Sequence, residues 1–224
     1  MISKGRVSEI FHSVQGEGLY LGEEQLFVRF FGCNLRCDFC DTHLNTFIEY
    51  SPQELFEEIE LYNGAFGSIS FTGGEPLLQA EFLADVLKLI NHEGHKIYLE
   101  TNGTLPGELQ KLIKYISVVA MDIKLPSSTG MGIFWNFHRK FLEIASQREV
   151  FIKMIICSMT QEDDLRQAIS LIKEVNKSAI LILQPNSAEQ DILKDKLQEY
   201  KDICRKEKLT ACIIPQMHKI MGIR

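Results

Sequence analysis

The sequence predicts an α/β protein built as a partial, open barrel of the (βα)6 type, and three observations predict it. Strand-like apolar runs alternate with amphipathic runs along most of the chain, the order that yields a parallel sheet joined by right-handed crossovers. About six such units are present, too few to close an eight-fold barrel. Cys33, Gly73, Glu100, Asp122 and Gln184 each fall at or just beyond a predicted strand end, and the carboxyl ends of the strands are where sites collect in such folds.

Taken in order, QLFVRFF reads as a strand leading into a cysteine-rich loop. Ser51 as N-cap, Pro52 in the first turn and Glu54 completing a capping box open a helix. SISFT is a buried strand ending in Gly-Gly, after which Phe82, Leu83, Val86, Leu87 and Ile90 share one helical face. KIYLET, ISVVAMDIK, REVFIKMII, AILILQP and LTACIIP read as strands, and PGELQKLIKYI and IFWNFHRKFLEIAS as helices. Thr160 with Asp163 is expected to start a helix that turns Leu165, Ala168, Ile169 and Ile172 inward. A last helix carries Leu193, Leu197, Tyr200 and Cys204 on one stripe. The expected organisation is a single domain over residues 1–224, with a hairpin-like extension (1–25) and a tail (215–224) that contribute to the pocket.

Composition narrows the class. Hydrophobic residues make up 45% of the 224, enough for a sizeable core, and the net charge of −6 argues against a broad basic surface for nucleic acid. No apolar run has transmembrane length and the N-terminus lacks the apolar core of a secretory signal. A cytoplasmic protein without membrane contact is expected, in a compartment that keeps its six cysteines reduced. Cys157, Cys204 and Cys212 sit in apolar stretches and read as small hydrophobes.

Cys33, Cys37 and Cys40 are spaced C-x3-C-x2-C within eight residues, which favours a metal site over disulfides. Three thiolates can ligate three irons of a 4Fe–4S cubane and leave the fourth iron open to an outside ligand. A zinc knuckle with His43 as fourth donor is the alternative, and with it a non-catalytic iron–sulfur or zinc-binding module.

This loop, with Phe39 before its last cysteine and Thr72-Gly73-Gly74-Glu75-Pro76 downstream, resembles the radical S-adenosyl-L-methionine (SAM) superfamily. The resemblance implies that SAM chelates the open iron and that an electron from a flavodoxin or ferredoxin cleaves it to a 5′-deoxyadenosyl radical. It also implies SAM contacts at Gly73, Gly74 and Glu75, where glycines let backbone approach a ligand. Further contacts are implied at Glu100, Asn102, Asp122, Ile123, Lys124, and at Gln184, Pro185, Asn186 and Ser187. Plainer readings stand beside these: a simple turn at Gly-Gly-Glu-Pro, a helix cap at Glu100, a solvated Lys124.

Gln15-Gly16-Glu17-Gly18, Arg29, Asp41-Thr42 and the terminal Pro215-Gln216-Met217-His218-Lys219 are similar to the 7-carboxy-7-deazaguanine synthase family of queuosine- and archaeosine-type 7-deazapurine biosynthesis. The likeness runs from Ile10 to Arg224. It implies ring contraction of 6-carboxy-5,6,7,8-tetrahydropterin with loss of ammonia, a magnesium ion (Mg²⁺) on Thr42, and a homodimer. It places Val14, Gln15, Gly16, Glu17, Arg29, Thr72, His218 and the terminal carboxylate of Arg224 at the substrate. The residue types suit those roles. Amide and carboxylate groups can read a pterin edge, arginine takes a carboxylate bidentately, and a threonine hydroxyl is an acceptable magnesium ligand. Plainer readings are again open, with QGEG a turn, Arg29 paired to a nearby acid, and Asp41 and Thr42 capping the loop. Asp122-Ile123-Lys124 departs from the Ser-Pro-Lys of some members and is similar to glycyl-radical activating enzymes, which act on a partner protein's glycine. That is the second reading.

Overall fold

In the computed structural model, which describes residues 4–42, 44–62, 66–90 and 94–222, one nine-stranded sheet is backed by helices on one face. The chain runs β1 (Gly5–Val14), β2 (Glu24–Phe30), β3 (Ile48–Tyr50), α1 (Pro52–Glu60), β4 (Ser68–Gly73), α2 (Ala80–Ile90), β5 (Ile97–Thr101), α3 (Pro106–Leu112) and β6 (Val118–Asp122). It continues through α4 (Pro126–Thr129), α5 (Trp135–Ala145), β7 (Glu149–Ile156), α6 (Glu162–Asn176), β8 (Leu181–Pro185), α7 (Lys194–Lys206), β9 (Ala211–Ile213) and α8 (Met217–Met221). The strand order is β3-β1-β2-β4-β5-β6-β7-β8-β9. From β2 to β9 all neighbours are parallel, and β1 returns antiparallel to β2. The two end strands are not paired to each other, so the sheet is open, as the number of units predicted.

The period of two along each strand decides which face does what. Leu26, Val28 and Phe30, Ile69 and Phe71, Leu99, Met121, Ile152 and Met154, and Leu181 and Leu183 pack into one core with the helices. The helical stripes read from the sequence meet them there: Phe82, Leu83, Val86, Leu87 and Ile90 from α2, and Leu165, Ala168, Ile169 and Ile172 from α6, are buried. Ser51 caps α1 as expected, accepting from the Glu54 amide at 3.3 Å while its own amide donates to Glu54 at 2.7 Å. Thr160 is a correction: α6 begins at Glu162 after Gln161, without a side-chain cap. The Thr160 hydroxyl instead accepts from the Cys157 amide at 2.8 Å and bonds the Ser128 hydroxyl at 2.7 Å. Three acids in the first turn, Glu162, Asp163 and Asp164, complement the helix dipole in its place.

The opposite face is apolar near the amino ends of the strands and polar near their carboxyl ends. Tyr98, Val118, Ala120, Phe151 and Ile182 form a small second cluster, closed by Tyr20 from the turn at Gly18–Tyr20. The Tyr20 hydroxyl donates to Glu149 at 2.7 Å and accepts from Lys96 at 3.0 Å. Gly18 has φ +67, and a Cβ there would lie 2.6 Å from the Phe151 ring, so both conformation and space call for glycine. The segment between β1 and β2 thereby passes under the inner face and forms a floor. No helix among the described residues is long and apolar enough to cross a membrane.

Candidate active site

Above that floor a cavity of about 470 Å³ opens at the carboxyl ends of the strands, within the size range of ligand pockets. Cys33, Gly73, Glu100, Asp122 and Gln184, singled out by their strand-end positions, all line it. So do Val14, Gln15, Gly16, Glu17, Arg29, Cys37, Cys40, Thr42, Thr72, Gly74, Asn102, Lys124, Asn186 and His218. Glu75, Ile123, Pro185 and Ser187 are not in its wall, while Arg224 and His43 lie outside the described residues.

The cysteine loop is set against the end of β4 by backbone contact. The Gly74 amide donates to the Phe30 carbonyl at 3.1 Å and the Glu75 amide to the Gly32 carbonyl at 2.9 Å. A Cβ on Gly73 would lie 2.2 Å from the Phe30 oxygen, and one on Gly74 would lie 2.1 Å from the Gly32 oxygen and 3.0 Å from the Cys33 Cβ. Two glycines are therefore needed for this approach. The three thiols are free of disulfides, with Cys33 and Cys40 exposed at the mouth. Burial pushes the Cys37 thiol up to about 11, with Asp122 and the other two sulfurs adding to the rise and Lys124 opposing it. Three thiolates at such a site need cationic partners. In a cubane each thiolate ligates its own iron, and three cysteines of one loop, free of disulfides, are a donor set that fits it.

Glu75, expected among the SAM contacts, has its side chain inside the protein and not on the cavity wall. Its carboxylate is buried and accepts from the Asn102 amide at 2.7 Å, the Leu77 amide at 3.1 Å and the Thr101 hydroxyl at 2.9 Å. Burial pushes its carboxyl up to about 7, the amides and hydroxyl opposing the rise. The group ties the end of β4 to the end of β5. Asn102 continues the tie to the cysteine loop by donating to Asn34 at 2.9 Å. His138, absent from the sequence reading, does the same for β6: its Nδ1 bonds the Gly103 carbonyl at 3.1 Å and its Nε2 accepts from the Lys124 amide at 3.1 Å. Lys124 pairs with Asp122 at 2.7 Å and lies 5.4 Å from the Phe39 ring centre. Asp122 Oδ1 and Gln184 Oε1 are buried with no hydrogen-bond partner among the described residues. Both residues line the cavity, although these two oxygens themselves lie beneath its surface.

The floor is a second polar network. Gln15 donates to Glu100 at 2.8 Å and Gln25 at 3.0 Å, and Thr72 donates to the other Glu100 oxygen at 2.8 Å. Glu17 pairs with Lys153 and accepts from Gln216 at 2.8 Å. Burial would raise the Glu17 carboxyl, but the Lys153 ammonium and the Gln216 amide outweigh it and hold it at about 2. The tail closes the side of the cavity: Met217 donates to the Gly16 carbonyl at 2.9 Å, Gln216 also reaches Asp41 at 3.1 Å, and Lys219 pairs with Asp41 and donates to Ser187 at 3.0 Å. His218 packs on Gly16, where a Cβ would lie 2.4 Å from the His218 Nδ1. Arg29 bonds Glu9 at 3.1 Å and lies over the Phe11 ring, which stacks on Phe27 at 5.1 Å. Thr42 donates to Asp41 at 3.2 Å. Lys153 was missed as a site residue, while Gln216 and Lys219 fall in the tail expected to build the pocket but were given no individual role. Strand alternation from Phe151 would have put Lys153 on the inner face.

The radical SAM superfamily model matches residues 27–195. Curated relatives include the 7-carboxy-7-deazaguanine synthases of Geobacter sulfurreducens, 37% identical over 96% of both chains, and Archaeoglobus fulgidus, 33% identical over 99% of this chain and 100% of the relative. Among solved structures, QueE from Escherichia coli superposes with a TM-score of 0.65 at 19% identity, covering 94% of this chain and 93% of that one. A domain of pyruvate-formate lyase-activating enzyme from Bacteroides vulgatus gives a TM-score of 0.54 at 20% identity over 66% and 98%, a likeness of fold alone. An open parallel sheet carrying three free thiols at its mouth is the architecture of a radical SAM enzyme, and the chain belongs to that superfamily. Within it the chain belongs to the 7-carboxy-7-deazaguanine synthase family of 7-deazapurine biosynthesis. Membership implies a 4Fe–4S cluster and SAM.

Two predictions follow from this geometry. Gly74→Ala must push the Gly32 carbonyl and Cys33 away, so iron after anaerobic reconstitution should fall well below the ~4 per chain of a full cubane; full iron in a folded variant would contradict the contact's role. Burial holds His138 at about 4 against its usual 6.5. The unfolded chain therefore takes up this proton first, and the His138 contribution is intact above 6.5 and lost as pH falls toward 4, by at most about 1.4 kcal/mol per pH unit. Urea unfolding at pH 7 and pH 5 should show a smaller acid loss in His138→Gln than in the parent.

Proposed function

We propose that this chain converts 6-carboxy-5,6,7,8-tetrahydropterin to 7-carboxy-7-deazaguanine with loss of ammonia, as a cytoplasmic radical SAM enzyme. The observation that carries the reading is one cavity with three free thiols at its mouth and an amide-carboxylate floor beneath them. Full-length relatives of that named activity support it.

Cys33, Cys37 and Cys40 would hold the cluster. The Gly73-Gly74 edge, Glu100, Asn102, Asp122, Lys124, Gln184 and Asn186 would hold SAM. When bound, the cluster and SAM supply the radical that starts hydrogen abstraction from the reduced ring. Everything else falls to the chain. Gln15 and ionised Glu17 accept N–H groups of the pterin edge, with backbone at Val14 and Gly16 beside them. The Arg29 guanidinium, paired here with Glu9, takes the substrate carboxylate. Thr42 offers one neutral oxygen to a magnesium ion, which retains waters and takes substrate oxygens. Thr72 and His218 complete the substrate contacts. Phe11, Phe27 and Leu35 give the cavity an apolar wall that excludes water and strengthens the polar contacts inside it.

The exposed thiols at the mouth suit an external flavodoxin or ferredoxin as electron source, and the family likeness favours a homodimer. The docking of the tail on Gly16 and Asp41 supports a single domain whose residues 1–25 and 215–224 both build the pocket.

Reconstituted protein assayed anaerobically with the pterin, SAM and a reductant should release carboxy-deazaguanine and ammonia, at a rate that falls when magnesium is chelated. Deoxyadenosine formation without either product would defeat the assignment.

A further inference from the structure

Lys153 holds neither cluster, SAM nor substrate in the contacts proposed above. It lines the cavity from β7 with its side chain 9% exposed. Its ammonium bonds Glu17 on the floor, and among the described residues Glu17 is its one hydrogen-bond partner. Glu100 and Asp122 act on it electrostatically but are engaged elsewhere, Glu100 with Gln15 and Thr72 and Asp122 with Lys124. An ammonium has three N–H directions, and those that Glu17 does not take are left for a ligand or water in the cavity to accept. Glu17 in turn accepts from Lys153 and Gln216, while a carboxylate offers about four lone-pair directions. The pair thus presents a donor next to an acceptor, both with capacity to spare, inside the cavity.

That pattern is the complement of one edge of a 2-amino-4-oxo heterocycle, where a carbonyl oxygen stands beside a ring N–H and an amino group. We propose that Lys153 and Glu17 together read this edge, Lys153 donating to the 4-oxygen and Glu17 accepting from the ring N–H and the 2-amino group. The inference rests on the proposed pterin substrate and deepens it, naming Lys153 as the residue that separates a 4-oxo from a 4-amino ring. In a 4-amino ring the exocyclic group becomes a donor facing the ammonium, and the ring nitrogen becomes an acceptor facing the carboxylate. Both contacts turn from attractive to repulsive, which is how a hydrogen-bonding site rejects a near-isostere. No bond is made or broken at this edge, so the pair governs selection and positioning.

The test is equilibrium binding to reconstituted protein, read by pterin fluorescence, of 6-carboxypterin (the stable oxidised analogue), its 4-amino-4-deoxy counterpart, and pterin without the carboxylate. The parent protein should prefer the 4-oxo ring on the order of 100-fold. Lys153→Met should shrink that preference to about 10-fold or less, since one of two mismatches is gone. Lys153→Gln, whose amide can turn either an N–H or an oxygen to the ring, should recover binding of the 4-amino compound. A lysine with a merely structural role would weaken both rings alike, and an unmoved ratio overturns the proposal. So does a Lys153→Met that keeps the oxo-amino ratio and instead erases the preference for the 6-carboxylate. If Lys153→Met fails to fold because Glu17 is left unpaired, Glu17→Gln/Lys153→Met removes both charges together and should show the same lost discrimination. A parent protein that binds none of the three ligands defeats the pterin reading itself. A parent that discriminates alongside variants that discriminate equally defeats only the role of Lys153.

Discussion

The ends of β2 and β4 meet through backbone alone, and the site depends on that contact. With hydrogen bonds from Gly74 to Phe30 and from Glu75 to Gly32, the cysteine loop has one place to go. Side chains at residues 73 and 74 would hold the two strand ends apart. The buried Glu75 carboxylate then fastens β4 to the Thr101-Asn102 turn, Asn102 fastens that turn to Asn34 in the loop, and His138 fastens Gly103 to Lys124. Four strand ends and the loop are thereby held in one arrangement before any ligand arrives, which is what a preorganised site requires.

The sheet divides its labour by face. Toward the helices nearly every inward position is a large aliphatic or aromatic side chain at or near zero exposure, and this face supplies the stability. Toward the cavity the chain buries carboxylates at Glu17, Glu100 and Asp122 against ammonium groups at Lys124 and Lys153. Buried ion pairs contribute little net stability, because desolvation offsets most of the Coulombic gain. Their presence on this face is better explained by what they offer a polar ligand. Asp122 and Gln184 belong to the same polar end of this face, and both line the cavity.

Much of this was legible because the signals are local. Period-two and period-3.6 patterning gave the strands and helices, and the Ser51–Glu54 box is written within four residues. The cysteine loop and Gly-Gly-Glu-Pro were legible as spacing. Thr160 misled because its hydroxyl found the Cys157 amide and Ser128, partners supplied by tertiary structure. β3 escaped notice because it has three residues, two of them exposed, and owes its existence to pairing with β1. The motif marks Glu75 without fixing which way its carboxylate points, and the fold turns it inward. His138 meets Gly103 and Lys153 meets Glu17 across 35 and 136 residues, pairings that local patterning does not show even where it places Lys153 on the inner face.

Three thiolates of one loop, pressed against a glycine edge, should bind a cubane whose remaining iron accepts SAM. Electron paramagnetic resonance of the anaerobically reduced protein tests this most directly. A 4Fe–4S signal whose shape changes when SAM is added is the predicted result. Zinc in place of iron, or a cluster signal indifferent to SAM, would contradict it.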